Sequence, residues 1–175
     1  SDKYLVTGNL LRREIFNSHS KKFEREKFNL KKFPLLFFTA GNQGSHHLNL
    51  ILKNLLPDLS LKYTIIHQCG QKDYPFFKKL ASKYPNYLAI NYIDGSDIGW
   101  VFHHCRVIIS RAGANTIQEI EALKLFSIII PLPVSQQDEQ LKNALWLQKK
   151  SPQSTIIIKD ADITEEKLTK AIKIL

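Results

Sequence analysis

With 175 residues, 43% of them hydrophobic, the chain suits one compact domain or one half of a two-domain protein. Its formal net charge of +9 is compatible with binding to nucleic acid, anionic lipid or phosphorylated ligands, and does not discriminate among them. No apolar run approaches the roughly 18 residues that span a bilayer, and Cys69 and Cys105 form neither a CxxC nor a secreted disulfide pattern, so we expect reduced thiols in a cytoplasmic protein.

The positive charge is concentrated near the start of the chain. Residues 17–32 carry six basic side chains against only Glu24 and Glu26. The basic residues are Lys21, Lys22, Arg25, Lys27, Lys31 and Lys32. A solvated helix face explains them as well as a partner site does. We expect residues 1–32 to form a basic segment or interdomain connection, and residues 33–175 to form the folded domain.

Apolar runs typical of buried strands alternate with helical patterns from residue 34 onward. The six runs cover residues 34–39, 61–67, 88–92, 107–110, 126–130 and 155–158. The helical patterns cover residues 45–56, 74–84, 97–104, 115–123, 139–149 and 164–175, with Thr164 as a candidate N-cap of the last. This alternation predicts an α/β fold, a Rossmann-like doubly wound parallel sheet of about six strands. Such sheets bind ligands at the carboxyl ends of their strands.

Two loops at those strand ends are rich in glycine and small polar residues. They are Ala40–Ser45 (AGNQGS) and Arg111–Thr116 (RAGANT). Glycines let backbone N–H groups approach a ligand closely, and the start of a helix attracts phosphate. Neither loop is a P-loop or a GxGxxG motif, so nucleoside triphosphate hydrolysis and NAD binding are both weakly supported. Two such helix starts favour a diphosphate ligand; ordinary strand-to-helix turns are the alternative.

Glu119 lies about one turn inside the helix that follows the second of these loops. A carboxylate there can accept hydrogen bonds from the vicinal hydroxyls of a ribose bound beside the phosphate-facing amides. It can equally serve only to complement the positive end of the helix dipole. The residues alone do not decide between a ribose clamp and this structural role.

Histidine and cysteine residues do not predict a metal site. His46 and His47 are adjacent, as are His103 and His104, so the side chains of each pair diverge instead of meeting on one helix face. His67 ends a predicted strand and fits a satisfied structural histidine better than a cleft residue.

Six motifs together resemble one family. They are Thr7–Arg12 (TGNLLR), Ala40–Ser45 (AGNQGS), Ile65–Gly70 (IIHQCG), Tyr92–Asp94 (YID), Ser110–Ile120 (SRAGANTIQEI) and Ile130–Ala144 (IPLPVSQQDEQLKNA). In this order and at this spacing, the chain resembles the carboxyl-terminal half of MurG-like glycosyltransferases of family 28, which act in peptidoglycan precursor synthesis. The resemblance implies the donor-binding half of a GT-B fold.

The resemblance also implies roles for individual residues. Glu119 would clamp the ribose, the backbone of Ile93 would read the uracil edge, and Arg12 would swing in to neutralise the diphosphate. Gln140 and Glu139 would hold the hydroxyls of the transferred sugar. The full expected donor-binding set is Arg12, Asn42, Gln43, Gly44, Ile93, Arg111, Gly113, Ala114, Asn115, Thr116, Glu119, Glu139, Gln140 and Asn143.

By the same resemblance, the chain would bind UDP-N-acetylglucosamine or a related UDP-sugar, without a cofactor or metal. Inverting transfer of a hexosamine to a lipid-pyrophosphate acceptor would need a missing N-terminal acceptor domain or partner subunit, at the inner face of the plasma membrane. No catalytic residue is expected in this domain, so the isolated chain would transfer sugar poorly, and nucleic acid is not an expected partner. A non-catalytic UDP-sugar-binding scaffold and a UDP-sugar epimerase fragment remain alternatives.

Three residues depart from the family's usual pattern. Leu10 stands where proline is usual, Asn42 replaces a serine, and Glu139 occupies a position that tends to carry glutamine or histidine. The Asn42 amide is bulkier than a hydroxyl and must be accommodated beside phosphate. The Glu139 carboxylate accepts from sugar hydroxyls but repels phosphate, which leaves the exact sugar open.

Overall fold

Six parallel strands form one sheet. The computed structural model describes residues 10–26, 28–133 and 138–175. The strands are β1 (Leu35–Thr39), β2 (Thr64–Gln68), β3 (Tyr87–Ile90), β4 (Cys105–Ser110), β5 (Ser127–Ile129) and β6 (Thr155–Ile157). They lie in the sheet in the order β3-β2-β1-β4-β5-β6. All five neighbouring pairs are parallel, which confirms the expected Rossmann-like arrangement.

The helices follow the strands as the sequence predicts. They are α1 (Lys21–Arg25), α2 (His46–Leu59), α3 (Tyr74–Ala81), α4 (Gly95–His104), α5 (Ala114–Ala122), α6 (Glu139–Lys150) and α7 (Glu165–Ile174), with 3-10 turns at Arg13–Phe16 and Asp160–Asp162. The Thr164 hydroxyl accepts a hydrogen bond from the Lys167 N–H, so the expected N-cap is confirmed. The second strand begins later than predicted, because the N–H groups of Lys62 and Tyr63 still bond to the Leu59 carbonyl at the end of α2.

Hydrophobic packing covers both faces of the sheet. Successive side chains of a strand point to opposite faces, so Leu36 and Phe38 enter one core while Leu35 and Phe37 enter the other. The first core includes residues of α2 and α7, and the second includes residues of α4, α5 and α6. Because each face is buried by helices, the strands are rich in apolar residues, although β2 also carries the buried polar residues Thr64, His67 and Gln68.

The described part of the N-terminal segment packs against α4. Ile15 and Phe23 are buried in the second core, and the Phe23 ring stacks on Trp100 with ring centroids 5.3 Å apart. A Cβ atom at Gly99 would lie 2.3 Å from the Glu14 carbonyl oxygen, so only glycine permits this close approach. The basic residues of α1 remain exposed. The division of the chain near residue 33 stays a prediction.

A buried polar network surrounds His67, which is 0% exposed. Its Nδ1 lies 2.7 Å from the Tyr87 hydroxyl and its Nε2 lies 2.9 Å from Oδ1 of Asn49. The Asn49 oxygen can only accept, so Nε2 carries the proton and Nδ1 accepts from the tyrosine. Burial lowers the pKa of His67 to about 3. His67 is therefore a satisfied structural histidine, as the sequence predicted.

Acid is expected to destabilise the protein through His67. Its pKa is about 3 in the folded state and about 6.5 in the unfolded chain. Between these values only the unfolded chain binds the proton, so stability is complete above pH 6.5 and falls as the pH drops toward 3. The free energy of unfolding should decrease by about 2 kcal/mol between pH 7 and pH 5 from this residue alone.

Chemical denaturation at both pH values would measure this effect. The His67→Gln variant should lose about 2 kcal/mol less than the wild type between pH 7 and pH 5, whatever its stability at pH 7. His47→Gln is the matched control, because His47 is exposed at the surface. An equal pH dependence of the wild type and His67→Gln would contradict the prediction.

Candidate functional site

A crevice opens where the strand order reverses, between the carboxyl ends of β1 and β4. It consists of an inner cavity of about 110 Å³ and an outer one of about 400 Å³. The two adjoin, because they share five lining residues. These are Arg12, Gly41, Asn42, Thr116 and Glu119. The loops that the sequence singled out therefore flank one space, and Arg12 reaches it from the segment ahead of the sheet.

The helices that begin beside this crevice are open to an anion. Gly113 precedes α5 and provides no side-chain cap, whereas the Ser45 hydroxyl ahead of α2 accepts a hydrogen bond from the Leu48 N–H. Neither helix has an acidic residue in its first turn, in contrast to α7, which begins with Glu165 and Glu166. The first N–H groups of a helix lack intrahelical partners and carry partial positive charge. The starts of α2 and α5 consequently favour a phosphate-bearing ligand.

Glu119 is 2% exposed, and Arg12 binds both oxygens of its carboxylate. The Arg12 Nε donates to Oε1 at 2.7 Å, and Nη2 donates to Oε2 at 3.0 Å. These hydrogen bonds raise the pKa of Arg12 above its ordinary value. The sequence predicts separate contacts for these residues, with diphosphate and with ribose. In the structure they bind each other, so a ribose at Glu119 would compete with Arg12 for the carboxylate.

The loop after β2 supports the glycine-rich loop after β1. Gly44 and Gly70 both have positive φ angles, +73° and +80°. A Cβ atom at Gly44 would lie 2.1 Å from the Cys69 carbonyl oxygen, and one at Gly70 would lie 2.4 Å from that of Gln43. The two backbones thus touch directly, which only glycines with left-handed conformations allow. This contact between the two loops supports the chain just ahead of the N-terminus of α2.

Arg111 lies outside the lining of the crevice and joins four chain segments. Its Nη1 donates to the Ile130 carbonyl at 3.2 Å and forms an ion pair with Asp160. Its Nη2 donates to the Ser45 hydroxyl at 3.1 Å, at the start of α2. The side chain is about 10% exposed. In this structure Arg111 connects the loops around the crevice. Its expected contact with the UDP-sugar donor stays a prediction.

The start of α6 is tied to the loop after β4. The Gln140 Oε1 accepts hydrogen bonds from the backbone N–H groups of Ala112, at 3.2 Å, and Leu132, at 3.0 Å. Asn143 Nδ2 donates to the Ala112 carbonyl at 3.1 Å. Glu139 is exposed at the first turn of α6. The expected contacts of these side chains with a sugar stay predictions.

The expected donor-binding residues fall into two groups. The crevice lining contains Arg12, Asn42, Ile93, Gly113, Ala114, Asn115, Thr116 and Glu119. The cavity linings do not include Gln43, Gly44, Arg111, Glu139, Gln140 or Asn143. Sequence reasoning missed Thr39, Gln68 and Tyr92, which also line the inner cavity. The strand ends were the available signal, because Thr39 and Gln68 are the last residues of neighbouring strands.

Over residues 10–26, 28–133 and 138–175, no three histidine, cysteine, aspartate or glutamate side chains lie close enough together to hold a metal ion. The helices of the same ranges are all too short or too polar to span a membrane. The expectation that donor binding needs no metal stays a prediction.

Strand order, helices on both faces and a crevice at the reversal point define a Rossmann-like α/β domain. A family model, the glycosyltransferase family 28 C-terminal domain, matches residues 35–175. The chain belongs to this family. The resemblance noted in the sequence motifs is thereby confirmed. The domain is a carboxyl-terminal domain of the kind found in GT-B glycosyltransferases.

Two similar curated proteins share the name UDP-N-acetylglucosamine–N-acetylmuramyl-(pentapeptide) pyrophosphoryl-undecaprenol N-acetylglucosamine transferase. The Lachnoclostridium phytofermentans protein is 31% identical over 173 residues, covering 98% of this chain and 47% of the relative. An Acinetobacter baumannii protein is 32% identical over 149 residues, covering 84% of this chain and 41% of the relative. The crystal structure of Acinetobacter baumannii MurG superposes with a TM-score of 0.68 at 25% identity, covering 84% of this chain and 44% of that one. The chain thus spans less than half the length of these relatives.

Proposed function

We propose that the chain binds UDP-N-acetylglucosamine or a close relative as the donor half of an inverting glycosyltransferase. The acceptor would be a lipid-linked pyrophosphate held by a domain or subunit outside this chain, at the cytoplasmic face of the membrane. The names of the curated relatives contain this donor and this type of acceptor. They supply the chemical identity that the crevice alone does not provide.

One observation carries the proposal, namely the juxtaposition of two helix starts and a buried carboxylate at one crevice. Asn42, in the loop that leads into α2, lines the outer cavity together with Asn115 and Thr116 of the first turn of α5 and with Glu119. Amide dipoles suit the diphosphate, and a carboxylate suits the vicinal hydroxyls of ribose. Ile93 lies in the inner cavity, where a base attached to that ribose would enter.

The same geometry supports a chemical role during transfer. As an acceptor hydroxyl attacks the anomeric carbon, the bond from that carbon to the diphosphate oxygen breaks, and negative charge grows on the departing UDP. Fixed amide dipoles of α2 and α5, together with the Arg12 guanidinium once it has left Glu119, would stabilise this charge. The proton of the acceptor hydroxyl would pass to a base outside this chain.

Isothermal titration is expected to show binding of UDP and UDP-N-acetylglucosamine, with GDP at least about tenfold weaker, because a guanine leaves the polar groups that face uracil unpaired. UDP-glucose measures how much the N-acetyl group contributes. The isolated chain should bind these nucleotides while transferring little sugar. Equal affinities for UDP and GDP would contradict the assignment of the inner cavity to uracil.

A further inference from the structure

Gln68 closes the crevice from the side of β2, in which it is the last residue. It is 5% exposed and lies opposite Thr39 in the register of β1 and β2. Its Nε2 donates to the Gly41 carbonyl and to Oδ1 of Asn42, both at 3.3 Å. The motif that resembles the family includes Gln68, but no donor contact was expected of it.

The two acceptors of Gln68 together fix the orientation of two amide groups. The Gly41 carbonyl can only accept, so the nitrogen end of the Gln68 carboxamide must face it. The same nitrogen reaches Asn42, whose amide must therefore turn its oxygen toward Gln68. Asn42 lines both cavities of the crevice. Its Nδ2 is accordingly the end of the amide that remains for a ligand.

We propose that Gln68 is a positioning residue that sets the polarity of the Asn42 amide, so that an N–H donor faces a phosphate of the nucleotide. This inference rests on the proposed function. An N–H group forms a charge-assisted hydrogen bond with phosphate, whereas the amide oxygen would repel it. A serine hydroxyl at position 42 would rotate to donate by itself, but an asparagine amide has fixed donor and acceptor ends and needs a neighbour to orient it.

The Gln68→Met variant tests the positioning role, because methionine keeps the length of the side chain and removes its donor. The dissociation constant for UDP, measured by calorimetry, should rise about tenfold. The affinity for uridine, which lacks phosphate, should stay within about twofold in an NMR titration. A purely structural role of Gln68 would weaken both ligands in proportion, and that result would overturn the proposal.

Gln71→Met is the matched control, since Gln71 is exposed three residues further along. It should leave both affinities unchanged. In an Asn42→Ser background, Gln68→Met should change the UDP affinity by less than about twofold, because a hydroxyl orients itself. An equal loss in the asparagine and serine backgrounds would also overturn the proposal.

Asn42→Asp tests the same polarity without altering β2, should Gln68→Met fail to fold in a thermal denaturation assay. The carboxylate would accept from Gln68 and present its second oxygen to phosphate, so UDP should bind more than about tenfold weaker while uridine is unaffected. Unchanged UDP affinity would overturn the inference.

If the wild type binds UDP and Gln68→Met binds it equally well, only the positioning role fails. If the wild type binds no UDP, the proposed function fails as well.

Discussion

Replacing Glu119 with alanine is expected to weaken UDP binding at least about a hundredfold. A buried carboxylate that accepts two ribose hydroxyls makes two hydrogen bonds to a charged group, each worth about 1.5–3 kcal/mol, and about 2.7 kcal/mol corresponds to a hundredfold. Glu119 is suited to this role because it is almost fully buried and faces the crevice. Donor binding also breaks its pair with Arg12, but that guanidinium then gains the diphosphate as a partner, so the exchange is close to neutral.

Calorimetry with UDP and 2′-deoxy-UDP separates the ribose contact from a general loss of structure. The wild type should discriminate against the deoxy nucleotide, whereas Glu119→Ala should bind the two equally weakly. Glu121→Ala is the matched control, because Glu121 lies on the same helix and pairs with Lys124 at the surface. Undiminished discrimination in Glu119→Ala would show that the ribose lies elsewhere.

Replacing Arg111 with methionine is expected to lower the free energy of unfolding by about 3–5 kcal/mol, the usual result of removing one partner of a buried ion pair. Methionine fills part of the volume but cannot donate hydrogen bonds. The Asp160 carboxylate, 17% exposed, would lose its partner, and the Ile130 carbonyl and Ser45 hydroxyl would lose donors. The ends of β4 and β5 and the start of α2 would lose their common connection.

Chemical denaturation measures this change. Arg106→Met is the control, because Arg106 lies on the same strand, is exposed and bonds only to the Leu175 carbonyl among the described residues. Its substitution should alter stability by less than about 0.5 kcal/mol. A similarly small effect of Arg111→Met would show that the Asp160 pair adds little to stability.

Local sequence patterns were sufficient to predict the strands and helices. The buried strands lie within short runs rich in apolar residues, and the helices that follow them repeat apolar residues at their own period, so both kinds of element are visible without tertiary contacts. The AGNQGS and RAGANT loops were located for the same reason, since glycine and small polar residues directly follow such runs. The crevice between them lies where the strand order reverses between β1 and β4, an order that the sequence did not predict.

Contacts between residues far apart in the sequence were not predictable. Arg12 and Glu119 are separated by 107 positions, and only the packing of the segment ahead of β1 brings them together. Arg111 was expected at the donor because it lies in a glycine-containing loop, but its partners come from three other loops. Gln68 could be recognised as a crevice residue only once β1 and β2 were known to be neighbours, because this places the ends of the two strands side by side.

The bond between Arg12 and Glu119 also tethers the polypeptide ahead of β1 to the start of α5. A nucleotide that separates the two side chains and takes the Arg12 guanidinium as its own partner moves this tether to the ligand, so occupancy and the position of the preceding segment are linked thermodynamically. Linkage is reciprocal: whatever holds Arg12 where it meets the diphosphate must raise nucleotide affinity by the same factor, whereas a pull that withdraws Arg12 from the crevice lowers it. A neighbouring domain or subunit that grips this segment would therefore sense whether the donor is loaded without touching it.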